Sequence, residues 1–156
     1  VSTMLNVKSI TQRLAKLDDL LLKLQKLQAY SWEEYKANEL VQGSCERYMQ
    51  VAIECCTDIA SHLLAAYGLK RPAQRRDVFR VLAETGYLEP DYAEKMVKMV
   101  QLRNRLVHLY WDIDAAKMYH YLQDDPALLQ RFRAFTVAIV EKARQEQKED
   151  EVEAEA

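Results

Sequence analysis

Arg103, Asn104, His108 and Tyr110 lie within a single run of eight residues, and their types make a compact kit for attack on a phosphodiester. Histidine moves protons near neutral pH. Arginine offers phosphate oxygens a permanently charged fork of donors, and an asparagine amide can orient either partner. The spacing is R-x-x-x-x-H, extended to H-x-Y by Tyr110. On a helix, Asn104 and His108 share a face at i and i+4, so the amide could hold the imidazole. Arg103 and His108 are five apart and point roughly 140° away from each other. One straight helix therefore presents them poorly to a single phosphate. Either the helix ends or bends near His108, or two copies meet across a twofold axis and share one cleft. We favour the homodimer. Taken alone, the spacing also fits a solvated Arg103, a His108 stabilised by the helix dipole and a Tyr110 packed on the core.

Other residues compete for a role. Lys70, Arg71, Arg75, Arg76 and Arg80 gather positive charge in eleven residues, opposed within that run only by Asp77. Such a patch can grip a phosphate backbone, with a counterion-release gain per contact, or can be a solvated face. Lys70, Arg71, Arg75 and Arg76, with Arg105 from the motif itself, are the candidate RNA contacts. Glu54, Asp58 and His62 stand at i, i+4 and i+8 and form either a polar seam or, less often, a metal site. Cys45, Cys55 and Cys56 match no metal-ligand spacing and read as buried, reduced thiols. His120, between Tyr119 and Tyr121, has no evident partner in the sequence. No glycine-rich phosphate loop exists, and no serine or cysteine carries a nucleophile motif. Neither a metal nor a cofactor is expected.

The elements that must position these groups are helices. Three glycines and three prolines in 156 residues are few, and breakers this scarce leave long helices and almost no strand. The net charge of −2 gives no global attraction to nucleic acid, so any RNA contact depends on a local patch. A stripe from Val7 to Leu27, widened by Leu20 and Leu22, predicts a first helix over 6–29. Ser31 and Glu34 predict a capping box on a short helix, Trp32 to Lys36. Asn38 opens the longest helix, to about Tyr67, with a stripe of Val41, Ser44, Tyr48, Val51, Cys55, Ile59, Leu63 and Ala66. Gly68 and Pro72 stop it. A helix over 73–84 follows, then one starting at Pro90 that carries the motif, with Met96 and Met99 in the core. Shorter and longer helices cover 115–122 and 127–145. The expectation is an all-α, up-and-down bundle of about five to six helices in one domain, residues 1–147. Residues 148–156 read as an acidic, disordered tail. No apolar run approaches a membrane span and no secretory leader is visible, which predicts a cytoplasmic protein.

Beyond single motifs, the run 53–62, then Gly68-Leu69-Lys70-Arg71-Pro72, then 79–86, then 102–114 resembles the HepT-like toxins of the HEPN superfamily. The likeness spans roughly residues 38–135. It implies a metal-independent endoribonuclease, with tRNA as a candidate substrate, acting through Arg103, His108 and the polar Asn104. It further implies a homodimer and a minimal nucleotidyltransferase (MNT) antitoxin that adenylylates the motif tyrosine, here Tyr110. A reading of a different class keeps the bundle non-catalytic, docking a nucleotidyltransferase and helping to present a nucleotide.

Overall fold

The computed structural model describes residues 5–108 and 113–156. The first three helices begin on local capping signals. α1 (Val7–Gln28) is capped by Asn6, whose Oδ1 accepts from the Ser9 N–H at 3.0 Å. α2 (Trp32–Lys36) carries the complete capping box, with both Ser31–Glu34 bonds at 3.1 Å. α3 (Glu39–Ala66) is capped by Asn38. It ends where Gly68 takes φ +67° and the Leu69 N–H bonds back to the Leu64 carbonyl, a left-handed close that glycine makes without steric cost.

The next stretch departs from the expectation of a helix from Ala73. A 3₁₀ turn, Arg75–Asp77, precedes α4 (Val78–Glu84). Pro72 delays the start, and the Gln74 cap makes no side-chain bond to anchor an earlier one. α5 (Pro90–His108) opens on proline, whose missing N–H costs nothing there. Asp114 Oδ1 accepts from the Ala116 and Lys117 N–H groups to start α6 (Ala115–Asp124), and α7 (Pro126–Glu155) completes the chain. The tail expected to be disordered continues α7, whose backbone is helical to Glu155. Its Glu, Ala, Lys and Gln residues are strong helix formers, yet every side chain from Arg144 onward is exposed, so those turns add nothing to the core.

The fold is an all-α up-and-down bundle built around α3, which touches all six of the other helices. α3 buries a broader surface than one stripe: Cys45, Met49, Ala52, Ile53, Cys56 and Leu64 are buried along with the expected Cys55, Ile59 and Leu63. In its first half the stripe is displaced by one residue, with Cys45 and Met49 inside and Ser44 and Tyr48 only half-buried. Leu20 lies inside, whereas Leu22 is 60% exposed and widens nothing. Phe79 of α4 meets Phe132 of α7 edge-on at 5.4 Å between ring centroids. The Tyr92 hydroxyl on α5 donates to the Leu128 carbonyl at 2.7 Å, fixing α5 against α7. Met96 and Met99 are core, and all three cysteines are free and buried. Burial pushes the Cys45 thiol up to about 12, so it stays protonated and inert. Among the described residues no helix is long and apolar enough to cross a membrane.

Candidate active site

Arg103, Asn104 and His108 sit on the last turns of α5, where the packed stripe of Val97, Val100 and Leu102 gives way to polar positions. Arg103 leaves that helix toward α3. Its Nε donates to Glu54 Oε1 at 2.8 Å, and its Nη2 lies 2.8 Å from the same oxygen. Its Nη1 donates to Asn104 Oδ1 at 3.2 Å. Gln50, one turn before Glu54, donates to that carboxylate at 3.2 Å. The guanidinium is thus held in one orientation from two sides, with the remainder of its donor fork uncommitted.

Among the described residues, Asn104 is bonded to Arg103, and no bond joins it to His108. The amide oxygen lies within reach of the neighbouring guanidinium, which is the stronger, charged donor. His108 is exposed at the C-terminal end of α5, about 140° around the axis from Arg103. Tyr110 lies outside the described residues.

Arg103 and Asn104 line a cleft of about 300 Å³ together with Glu54, Thr57, Arg75 and Arg76. Three guanidinium groups face one carboxylate there, which suits an anion. α3 supplies the floor, the 3₁₀ turn supplies Arg75 and Arg76, and α5 supplies the motif. The basic run is brought only partly to this place. Arg80 points elsewhere, making bonds of 2.7 and 2.9 Å to Glu94 and 2.8 Å to Asp77. Beyond Asp77, the run is therefore opposed by Glu94 at Arg80 and by Asp58 at Arg75, which the sequence alone did not pair with it. Lys70 and Arg71 are exposed. Arg105 lies on a different side of α5, over the Tyr121 ring at 6.0 Å and bonded to its hydroxyl at 3.3 Å. It lines a separate cleft with Lys95, Lys98 and Asp125.

The row Glu54, Asp58, His62 proves to be an arginine ladder. Glu54 holds Arg103, and Asp58 pairs with Arg75 and stands 3.9 Å from Arg13. Burial, and then the positive charge of Arg13, lowers the pKa of His62. Among the described residues no cluster of three His, Cys, Asp or Glu could hold a metal ion. Sequence reasoning flagged this row but missed what occupies it. Two carboxylates a turn apart on a largely buried helix were the available signal. Arg13, on α1, gave none. His120 has a partner after all, Asp124, at 3.0 Å one turn on.

The sequence matches the HepT-like ribonuclease family over residues 10–135, most of the chain. An mRNA nuclease HepT from Shewanella oneidensis is 31% identical over 90 residues, 58% of this chain and 68% of that protein. A tRNA nuclease HepT from Aphanizomenon flos-aquae is 26% identical over 137 residues, 85% of this chain and 93% of its own. Among solved structures, the tri-AMPylated HEPN toxin of Shewanella oneidensis in complex with its MNT antitoxin superposes with a TM-score of 0.77 at 25% identity, covering 86% of this chain and 99% of that one. The cytosolic protein YutE from Bacillus subtilis, at 17% identity, shares the fold with a TM-score of 0.77. With its arginine–asparagine pair set in a basic cleft and a family match that includes the motif helix, the chain belongs to the HepT-like ribonucleases of the HEPN superfamily.

Proposed function

We propose that this protein is the toxin of a HEPN/MNT pair and cuts RNA without a metal ion, by attack of a ribose 2′-hydroxyl on its own phosphodiester. The observation that carries this reading is Arg103 held by Glu54 and Asn104 in the wall of a cleft richer in cations than in carboxylates. As the 2′-oxygen bonds to phosphorus, charge builds on the non-bridging oxygens, and a guanidinium already oriented stabilises it with little reorganisation. The bond from phosphorus to the 5′-oxygen breaks, leaving a 2′,3′-cyclic phosphate and a 5′-hydroxyl. His108 takes the proton from the 2′-hydroxyl or returns one to the leaving oxygen. Asn104 keeps the fork of Arg103 aimed.

Because Arg103 and His108 diverge around α5, a homodimer that places the two α5 C-termini against each other completes the site. Each chain then supplies part of one groove. The MNT antitoxin, the partner of the related HEPN toxin, would silence the enzyme by adenylylating Tyr110, two residues beyond His108. The added AMP places bulk and negative charge where an RNA phosphate docks. The substrate is RNA; the two named HepT relatives are nucleases of mRNA and of tRNA, and tRNA is the first substrate to try.

The test is direct. Purified protein incubated with mixed RNA in EDTA should yield fragments ending in cyclic phosphate. Variants Arg103→Ala and His108→Ala should be folded and inactive. Cleavage that persists in both variants under EDTA overturns the assignment.

A further inference from the structure

Beside the proposed cleavage cleft lies a second cavity of about 400 Å³, whose lining includes Arg13, Asp58, His62, Arg71 and Arg75. Arg75 lines both cavities, so the two are neighbours along the exposed edge of α3. Three guanidinium groups surround the single carboxylate of Asp58 in this second space. Asp58 is shared, paired with Arg75 and only loosely approached by Arg13 at 3.9 Å, too long for a hydrogen bond. Arg13 Nη1 is anchored to its own helix, donating to the Ser9 hydroxyl at 2.6 Å and the Ser9 carbonyl at 3.2 Å. Its Nε is the atom that faces Asp58 Oδ2, beyond hydrogen-bond range, so the pair is an open one.

The first cavity shows the same imbalance, with Arg75, Arg76 and Arg103 around Glu54, and the buried Arg76 Nε–H has no acceptor among the described residues. Two adjacent cavities, each with three guanidinium groups against one carboxylate and joined by Arg75, fit two consecutive anionic groups.

We infer that the cavity bounded by Arg13, Asp58 and Arg75 is a second phosphate subsite, taking the phosphodiester that neighbours the scissile one on the same RNA strand. The inference rests on the ribonuclease reading and deepens it. Arg13 and Arg71 supply the charge-assisted bonds, and Asp58 yields part of its hold on Arg75 when the strand docks. His62, in the same lining, has its charged form disfavoured by burial and then by Arg13, and a docked phosphate would favour it.

Binding and cleavage are measured separately, so that this inference and the ribonuclease reading can fail independently. Fluorescence anisotropy with a labelled 2′-O-methyl RNA hexanucleotide, which cannot be cut, reads affinity across a salt series. Arg13→Gln and Arg71→Gln should each weaken binding about tenfold and lower the slope of log K against log salt by about 0.7, the value of one phosphate contact to a single strand. Arg71 is exposed and in no described ion pair, so its variant keeps the test sound if Arg13→Gln does not fold. A dinucleotide with one phosphate should bind far more weakly than the hexanucleotide and lose little further affinity in either variant. Wild-type affinity and slope in both variants overturn the subsite. Absence of cleavage of the natural ribose hexanucleotide by wild-type protein overturns the ribonuclease reading alone.

Discussion

Arg103 and Arg105 are two residues apart on α5, and the structure treats them in opposite ways. Arg103 is half-buried, gripped by Glu54 of α3 and by Asn104, in a cleft among other cations. Arg105 is exposed, and its described contacts are a 3.3 Å bond to the Tyr121 hydroxyl and the ring beneath it. A rotation of about 200° around the helix separates them. The same side chain is held by a carboxylate in a cation-rich cleft on one face and rests over a tyrosine ring on the other. What differs is a carboxylate delivered from a distant part of the chain. Preorganisation, not charge alone, is what a catalytic arginine needs.

The sharpest way to break this comparison is to remove each arginine in turn. Arg103→Ala should lower the cleavage rate by about 10²–10³-fold, the usual cost of a lost charge-stabilising donor, and His108→Ala by about 10²–10⁴-fold. Arg105→Ala should cost only a few-fold and act through affinity, lowering the salt slope by about 0.7. Comparable losses of catalytic rate for Arg103→Ala and Arg105→Ala would erase the distinction. The next effect is on Glu54. Glu54→Gln keeps the shape and removes the charge that orients Arg103, so the cleavage rate should fall about tenfold in single-turnover assays. Thermal stability should drop by no more than about 1 kcal/mol, because the pair is partly exposed. Were Glu54 simply neutralising Arg103, the same substitution would instead speed cleavage.

The smallest effect belongs to the Arg105 side. Asp125, in that cleft, has its pKa raised to about 6, by burial first and then by neighbouring Asp124. A carboxyl with a folded pKa above its unfolded value binds more protons in the native state than in the unfolded one. Stability from this group is therefore greatest below about pH 4 and is lost as pH rises toward 6. Asp125→Asn should remove that slope, a change of about 1 kcal/mol between pH 4 and 7 in denaturant midpoints once the shift is discounted for the group's partial exposure, without altering cleavage. A matching pH slope in the variant would show that Asp125 is not its source.

Much of the architecture was legible because it is local. The Ser31–Glu34 box, the Asn6, Asn38 and Asp114 caps and the Gly68 stop each depend on residues within a turn of one another, where backbone hydrogen-bonding demand leaves few alternatives. The α3 stripe was less legible. A helix packed on all sides has no single apolar face for periodicity to find, so Cys45 and Met49 took the place expected of Ser44 and Tyr48. The last turns of α7 stayed helical because propensity alone favours it, although no packing reinforces them.

The site divides along the same line. The sequence by itself determined which groups could do the chemistry, since Arg103, Asn104 and His108 are neighbours in the chain and their spacing follows from helix geometry. Only the tertiary structure decided what those groups are coupled to. Glu54 reaches Arg103 across 49 residues, and Arg13, Asp58 and Arg75 come together from three separate elements. An ion pair between helices depends on how those helices pack, and packing is fixed by the summed burial of many side chains, so no short stretch of sequence records it.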